Sequence, residues 1–213
     1  MNVSTPIPHV CCVIYETQYL LASSFMRLQE FYESPYEDIH DCYFTREHYE
    51  DLYASKNGNF TYYQDWAGFN IPLSCVRKFW HIFRHHDLYE KECRLLVSIS
   101  KALADKGMQY LIGVVDGDTM SLNHELAHGL YATNTKYHAD MSRLVANVDT
   151  KKLRKKLMDM GYDGDKVDDE VQAYLSTTDW PKLSKWKTGI RKGDVQKFRK
   201  VFNRYMKEHR RPY

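Results

Sequence analysis

Long apolar runs are missing from this chain of 213 residues. LIGVV at residues 111–115 is among the longest, far short of the roughly 18 residues that a membrane span requires. The opening MNVSTPIPHVCCVIYE has no basic segment and reaches Glu16 before any apolar core develops, so no secretory signal is read there and a soluble, cytoplasmic protein is expected. Cysteine is scarce and poorly spaced for pairing. Cys11, Cys12, Cys42, Cys75 and Cys93 are odd in number and show no CxxC, which excludes a disulfide framework and a cysteine zinc knuckle and leaves buried free thiols as the expectation. Repeats, low-complexity tracts and dividing linkers are absent too, so residues 1–213 read as one domain. Charge of one sign is not in excess: 30 Lys and Arg stand against 28 Asp and Glu, and a net +2 argues against a protein that binds a polyanion with its whole surface.

What the chain does have is 43% apolar residues, 14% aromatics and 17 Tyr, the composition of a folded protein. Its length supports a core that needs neither disulfides nor an obligate partner. The pattern along it predicts an α+β fold, mainly helical with a small sheet. HVCCVIYE (9–16) reads as a buried strand, and Leu21, Phe25, Leu28 and Tyr32 recur at helical spacing until Ser34-Pro35. Thr45 opens a short helix that Asn57-Gly58 closes. The aromatic block FTYYQDWAGFNIP reads as a strand and turn whose rings serve a core, with cleft lining as the other possibility. Residues 72–86 read as helical. YEKECRLLVSISKALADKG then predicts one amphipathic helix that buries Cys93, Leu96, Val97, Ile99 and Leu103. MQYLIGVV is a strand, DGDT a turn, and the remainder a series of helices.

One segment carries chemistry. His124-Glu125-Leu126-Ala127-His128 is an HExxH in a helical context, where four residues make just over one turn and both imidazoles leave the same face. Two such rings can meet one metal ion, and Glu125 can act on a water there as a general base.

On these residues the chain resembles the zincin metallopeptidases. The metzincin pattern fails, because Tyr131 stands where its Gly would be and Asn134 where its third His would be. The gluzincin pattern fits better. Asp169-Glu170-Val171-Gln172-Ala173-Tyr174-Leu175 is similar to its second helix, which implies Glu170 as third ligand of a Zn2+ ion and a zincin-like HExxH helix packed against a second, ligand-bearing helix. A carboxylate beside two neutral imidazoles also lowers the ion's charge while keeping it a strong Lewis acid, and Ala173 is small enough for close helix approach. His138 is the alternative third ligand. Tyr137, Tyr131 and Tyr174 are the candidate donors to an oxyanion. The resemblance implies hydrolysis of a peptide or protein substrate, with Glu125 as the base.

The carboxyl-terminal segment 181–213 stands apart, with twelve Lys and Arg against Asp194 and Glu208. A helix capped by Asp194 would bury Val195, Phe198, Val201, Phe202, Tyr205 and Met206 and present cations outward. An acidic body and a basic tail therefore underlie the near-neutral total. The alternative function is a non-catalytic zinc-binding interaction or effector protein on a zincin scaffold, its basic helix engaging an acidic partner, a nucleic acid or a membrane surface.

Overall fold

The computed structural model describes residues 1–86, 88–162 and 164–209, residue 165 by its backbone. Two β-branched segments pair first, β1 (Asn2–Ile7) antiparallel to β2 (Val10–Tyr15), with a register shift between Ser4 and Ile7 where Pro6 interrupts the ladder. β1 precedes the first strand expected from sequence. α1 (Gln18–Glu33) follows, the Thr17 hydroxyl accepting from Leu20 N–H at 3.2 Å. α2 (Arg46–Asn57) is capped by Thr45, which accepts from His48 N–H at 3.1 Å, and ends at Gly58 with φ +85°. The aromatic block holds a helical turn, α3 (Tyr62–Asp65), ahead of β3 (Gly68–Pro72), and α4 (Leu73–Phe83) occupies the next stretch.

The helix expected across residues 89–107 is two, α5 (Glu90–Ser98) and α6 (Ser100–Ala104), divided at Ile99. Its buried face is also displaced: Leu95 has no exposure, whereas Val97 is 72% exposed. The inward direction is set by Glu92, which pairs with Arg27 of α1 in the interior. That puts Leu95, Leu96 and Ile99 against the core in place of an arc through Val97.

β4 (Tyr110–Val115) leads through a tight turn into α7 (Thr119–Thr133), then α8 (Thr135–Ala146), α9 (Lys151–Asp159), α10 (Val167–Thr177), α11 (Trp180–Lys185) and α12 (Lys192–His209). Asp194 is not the cap of α12. It lies inside the first turn, where it accepts from Arg191 and Lys197, both at 2.9 Å. Arg210 and Arg211, counted in the basic tail, lie outside the described residues.

The sheet order is β1-β2-β4-β3, with β2 and β4 parallel and the outer pairs antiparallel. Alternation along the strands divides the interior in two. Val10, Cys12, Ile112 and Val114 face the apolar sides of α7, α8, α9, α10 and α12. Cys11, Val13, Phe69, Ile71 and Leu111 face α1 through α6. The first half of the chain thus covers one face and the second half the other, giving a mainly helical single domain around a small mixed sheet. At Gly113 a Cβ would come within 2.6 Å of Phe25, so glycine lets α1 lie flat on β4. Of the cysteines only Cys11 and Cys12 are buried; Cys75 and Cys93 are half-buried and Cys42 is exposed, because it falls in the loop before α2. No helix among the described residues is long and apolar enough to cross a membrane.

β3 is an edge strand. Leu73 N–H donates to Gln109 C=O at 2.8 Å, and by the alternation of an antiparallel ladder Ile71 and Phe69 also bond inward. The backbone groups of Gly68 and Asn70 therefore point away from the sheet, and Pro72 sits where its missing N–H leaves no ladder bond unmade.

Candidate metal centre

α7 begins at Asp118, whose carboxylate accepts from Ser121 N–H at 3.0 Å, and packs Leu126, Ala127 and Leu130 into the core. His124 and His128, one turn apart, face α10, and their Nε2 atoms lie 3.2 Å from each other. Glu170, in the first turn of α10, places Oε1 3.5 Å from His128 Nε2 and Oε2 3.7 Å from His124 Nε2. The two helices approach closely because Ala173 is fully buried between them, and Gln172 Nε2 donates to Ala127 C=O at 3.3 Å.

The surroundings orient both rings. Thr177 donates its hydroxyl proton to Ala173 C=O at 2.7 Å, so its oxygen is an acceptor for His124 Nδ1–H at 3.3 Å. That tautomer leaves the Nε2 lone pair facing His128 and Glu170. His128 Nδ1 lies 3.0 Å from Asp169 Oδ1, an ion-pair contact off the N–H axis. Burial is the largest influence on His128 and pushes its pKa down, but the carboxylates of Asp169, Glu170 and Glu125 together outweigh it and hold the ring at about 10. The acids around this point demand positive charge.

These residues fit a metal ion. Tetrahedral donors at 2.0–2.1 Å from zinc are about 3.4 Å apart; the two Nε2 atoms, 3.2 Å apart, are near that spacing, and one ligand atom from each of the three residues lies within 4.8 Å of the others. Glu170 Oε2 is buried and has no hydrogen-bond donor, the condition of an acceptor that a cation would satisfy. His124, His128 and Glu170 are the one cluster of this kind among the described residues.

Glu125 lies beside the triad, 5% exposed, its Oε2 accepting from Asn70 Nδ2 at 2.9 Å. Tyr110 donates to Asn70 Oδ1 at 2.7 Å, which fixes the amide. A Cβ at Gly68 would stand 2.9 Å from Glu125 Cδ and nearer still to Oε1, so glycine lets β3 lie directly over this carboxylate as it is placed. Burial pushes the Glu125 carboxyl above the usual range, while His124 and His128 pull it down.

Of the three tyrosines singled out from sequence, Tyr174 lies at the triad, its ring 4.7 Å from that of His124. Tyr137 is in the core instead, donating to Gln172 at 2.9 Å and packed edge-on to Tyr205. Tyr131 shares a hydrogen bond with Ser142 at 3.0 Å and stacks on His138. His138 is exposed, its Nδ1 3.1 Å from Tyr131 C=O, and does not join the cluster. α7 ends at Thr133 and α8 starts at Thr135 behind an Asn134 cap, which puts Tyr137 and His138 on a separate helix from the HExxH.

Sequence reasoning did not identify Thr177, Asn70, Gly68 or Tyr162. Thr177 follows Glu170 by seven residues, two turns along one helix face, and was readable on that ground. Tyr162 pairs its hydroxyl with that of Tyr174 at 2.9 Å and packs against Trp66, contacts that only the fold creates. No protein-family model, curated protein or solved structure matches the chain.

Proposed function

We propose that the protein is a zinc-dependent peptidase of the zincin type, with His124, His128 and Glu170 as ligands and Glu125 as general base. The observation that carries this reading is the convergence of two oriented Nε2 atoms and an unsatisfied buried carboxylate oxygen beside a second buried carboxylate. Bound zinc would supply a Lewis acid for the scissile carbonyl and for water.

The chain's own residues do the rest. Glu125, held through Oε2 by Asn70, takes a proton from water as the water oxygen bonds to the carbonyl carbon. It then passes that proton to the leaving nitrogen as the C–N bond breaks. Burial makes Glu125 a better base than an exposed glutamate. In the Tyr162–Tyr174 pair one hydroxyl donates to the other, and the second proton remains for a developing oxyanion. The outward backbone groups of Gly68 and Asn70 can pair with an extended peptide laid along β3.

Glu125→Gln tests the reading. The variant should bind zinc as the wild type does and cleave a mixed peptide library about 10²–10⁴-fold more slowly, the range for loss of a general base. A zinc-loaded wild type that cleaves no peptide, or a variant that cleaves equally well, overturns it.

A further inference from the structure

The cations of the basic tail and of α9 fall into two sets. Some meet acids: Arg191 and Lys197 pair with Asp194, Arg199 with Asp179 at 3.2 Å and Arg204 with Asp140 at 2.6 Å, and on α9 Arg154 pairs with Asp168 and Lys155 with Asp159. Around Trp186 they do not. Lys156 of α9 lies over the Trp186 ring at 5.5 Å, Lys185 and Lys187 flank that residue in the chain, and none of the three has an acidic partner among the described residues. α9 also opens with Lys151 and Lys152 at its positive end, with no acid in the first turn and no side-chain cap. Cations there oppose the helix dipole, and Lys152 and Lys156 repel one another one turn apart. Asp149, just before the helix, accepts from Lys151 N–H at 3.2 Å and is the acid at that end, while Lys156 has no acidic partner among the described residues.

The patch adjoins the metal centre. From His124, ring contacts run 4.7 Å to Tyr174 and 5.3 Å on to Trp186, with the Lys156 ammonium 5.5 Å beyond. End to end this spans at most about five residues of extended chain.

We propose that the rim formed by Lys156, Lys185 and Lys187 around Trp186 selects polypeptide substrates that carry acidic residues within about five positions of the bond to be cut. This rests on the peptidase reading and names its substrate class. A nucleic acid could also meet lysines beside an indole. The polypeptide is favoured because one molecule must reach both the rim and a centre whose parts suit amide hydrolysis.

The test is binding by the full chain as Glu125→Gln, so that no substrate is consumed. Fluorescent peptides of one length, differing only in a run of Glu or of Lys, are compared with a single-stranded oligonucleotide of equal charge. The acidic peptide should bind about tenfold tighter than the basic one at low salt, the scale of three exposed ion pairs, and lose that preference by roughly 0.5 M salt. Lys156→Glu/Lys185→Glu/Lys187→Glu should abolish the preference with zinc content unchanged. Lys185→Glu/Lys187→Glu, confined to exposed positions, should reduce it and serves if the triple variant does not fold. Equal binding of both peptides, an unaltered preference in the variants, or tighter binding of the oligonucleotide through the same lysines overturns the proposal. If the acidic preference holds while the wild type cleaves no peptide, the rim stands and the hydrolytic reading falls.

Discussion

Thr177 illustrates how much a single hydroxyl can decide. It gives its proton to Ala173 and receives one from His124, and that order of donation determines which imidazole nitrogen faces the metal centre. Thr177→Val keeps shape and removes both bonds, so zinc affinity should fall by about 10- to 100-fold, with Thr177→Ser restoring most of it. Competition with a chromogenic chelator measures this, and an unchanged affinity in the valine variant would show that packing alone orients the ring. Asp169 acts on His128 from the opposite side through charge. Both residues precede or follow Glu170 on one helix, so α10 carries the carboxylate of the cluster and both groups that lie against the imidazole Nδ1 atoms.

Between elements, the firmest polar link runs from α1 to α5. Arg27 donates from Nε to Glu92 at 2.7 Å, donates to Phe44 C=O at 3.0 Å and lies 4.5 Å from the Tyr89 ring, all in the interior. Glu92 also accepts from Tyr89 N–H at 3.0 Å, so the same carboxylate caps α5. Arg27→Met leaves Glu92 buried without its partner and should cost about 3–5 kcal/mol in urea denaturation, whereas Arg27→Met/Glu92→Leu should recover a large part. No recovery in the double variant would mean that the pair itself stabilises the fold beyond an apolar substitute. This link also marks the limit of what was legible in the chain. Elements announced by local chemistry, such as α2 with Thr45 and Gly58 or α7 with its HExxH, stand where spacing put them. The rotation of α5 did not announce itself, because an arginine 65 residues away determines which face turns inward. The metal centre divides likewise: His124, Glu125, His128 and Glu170 lie on two helix faces with readable periods, while Asn70 and Tyr162 arrive through a sheet register and a loop.

At the scale of the molecule, the centre lies where the halves of the chain meet. α7 and α10 come from the second half and β3 from the first, and Lys166 adds a crossing contact by resting 3.5 Å from the Tyr32 ring. A metal ion bound by α7 and α10 would stabilise the whole fold, by about 2.7 kcal/mol at a hundredfold excess over its dissociation constant. Chelation should therefore lower Tm by several degrees in calorimetry; identical Tm values with and without zinc would sever binding from stability. A second global effect arises at Glu30 on α1. Burial raises its carboxyl from 4.5 to about 7, against hydrogen bonds from Tyr49 and Tyr62. Between those values the folded protein keeps a proton that the unfolded chain releases, so this contribution is complete below 4.5 and is lost as pH rises through about 7. Glu30→Gln should flatten the decline in stability across that window, by on the order of 3 kcal/mol relative to the wild type. Parallel pH profiles for the two proteins would contradict the assignment.

The two borders of the sheet have a consequence for how copies of the protein treat each other in concentrated solution. β1 is broken in register by Pro6, and β3 is five residues long and closed by Pro72. A sheet with two regular borders can template the next chain, and that chain the one after, which is how fibres grow. Here the register shift at one border and the short, proline-closed strand at the other make both poor templates for repeated strand addition. Protection against edge-to-edge growth follows from the same two prolines.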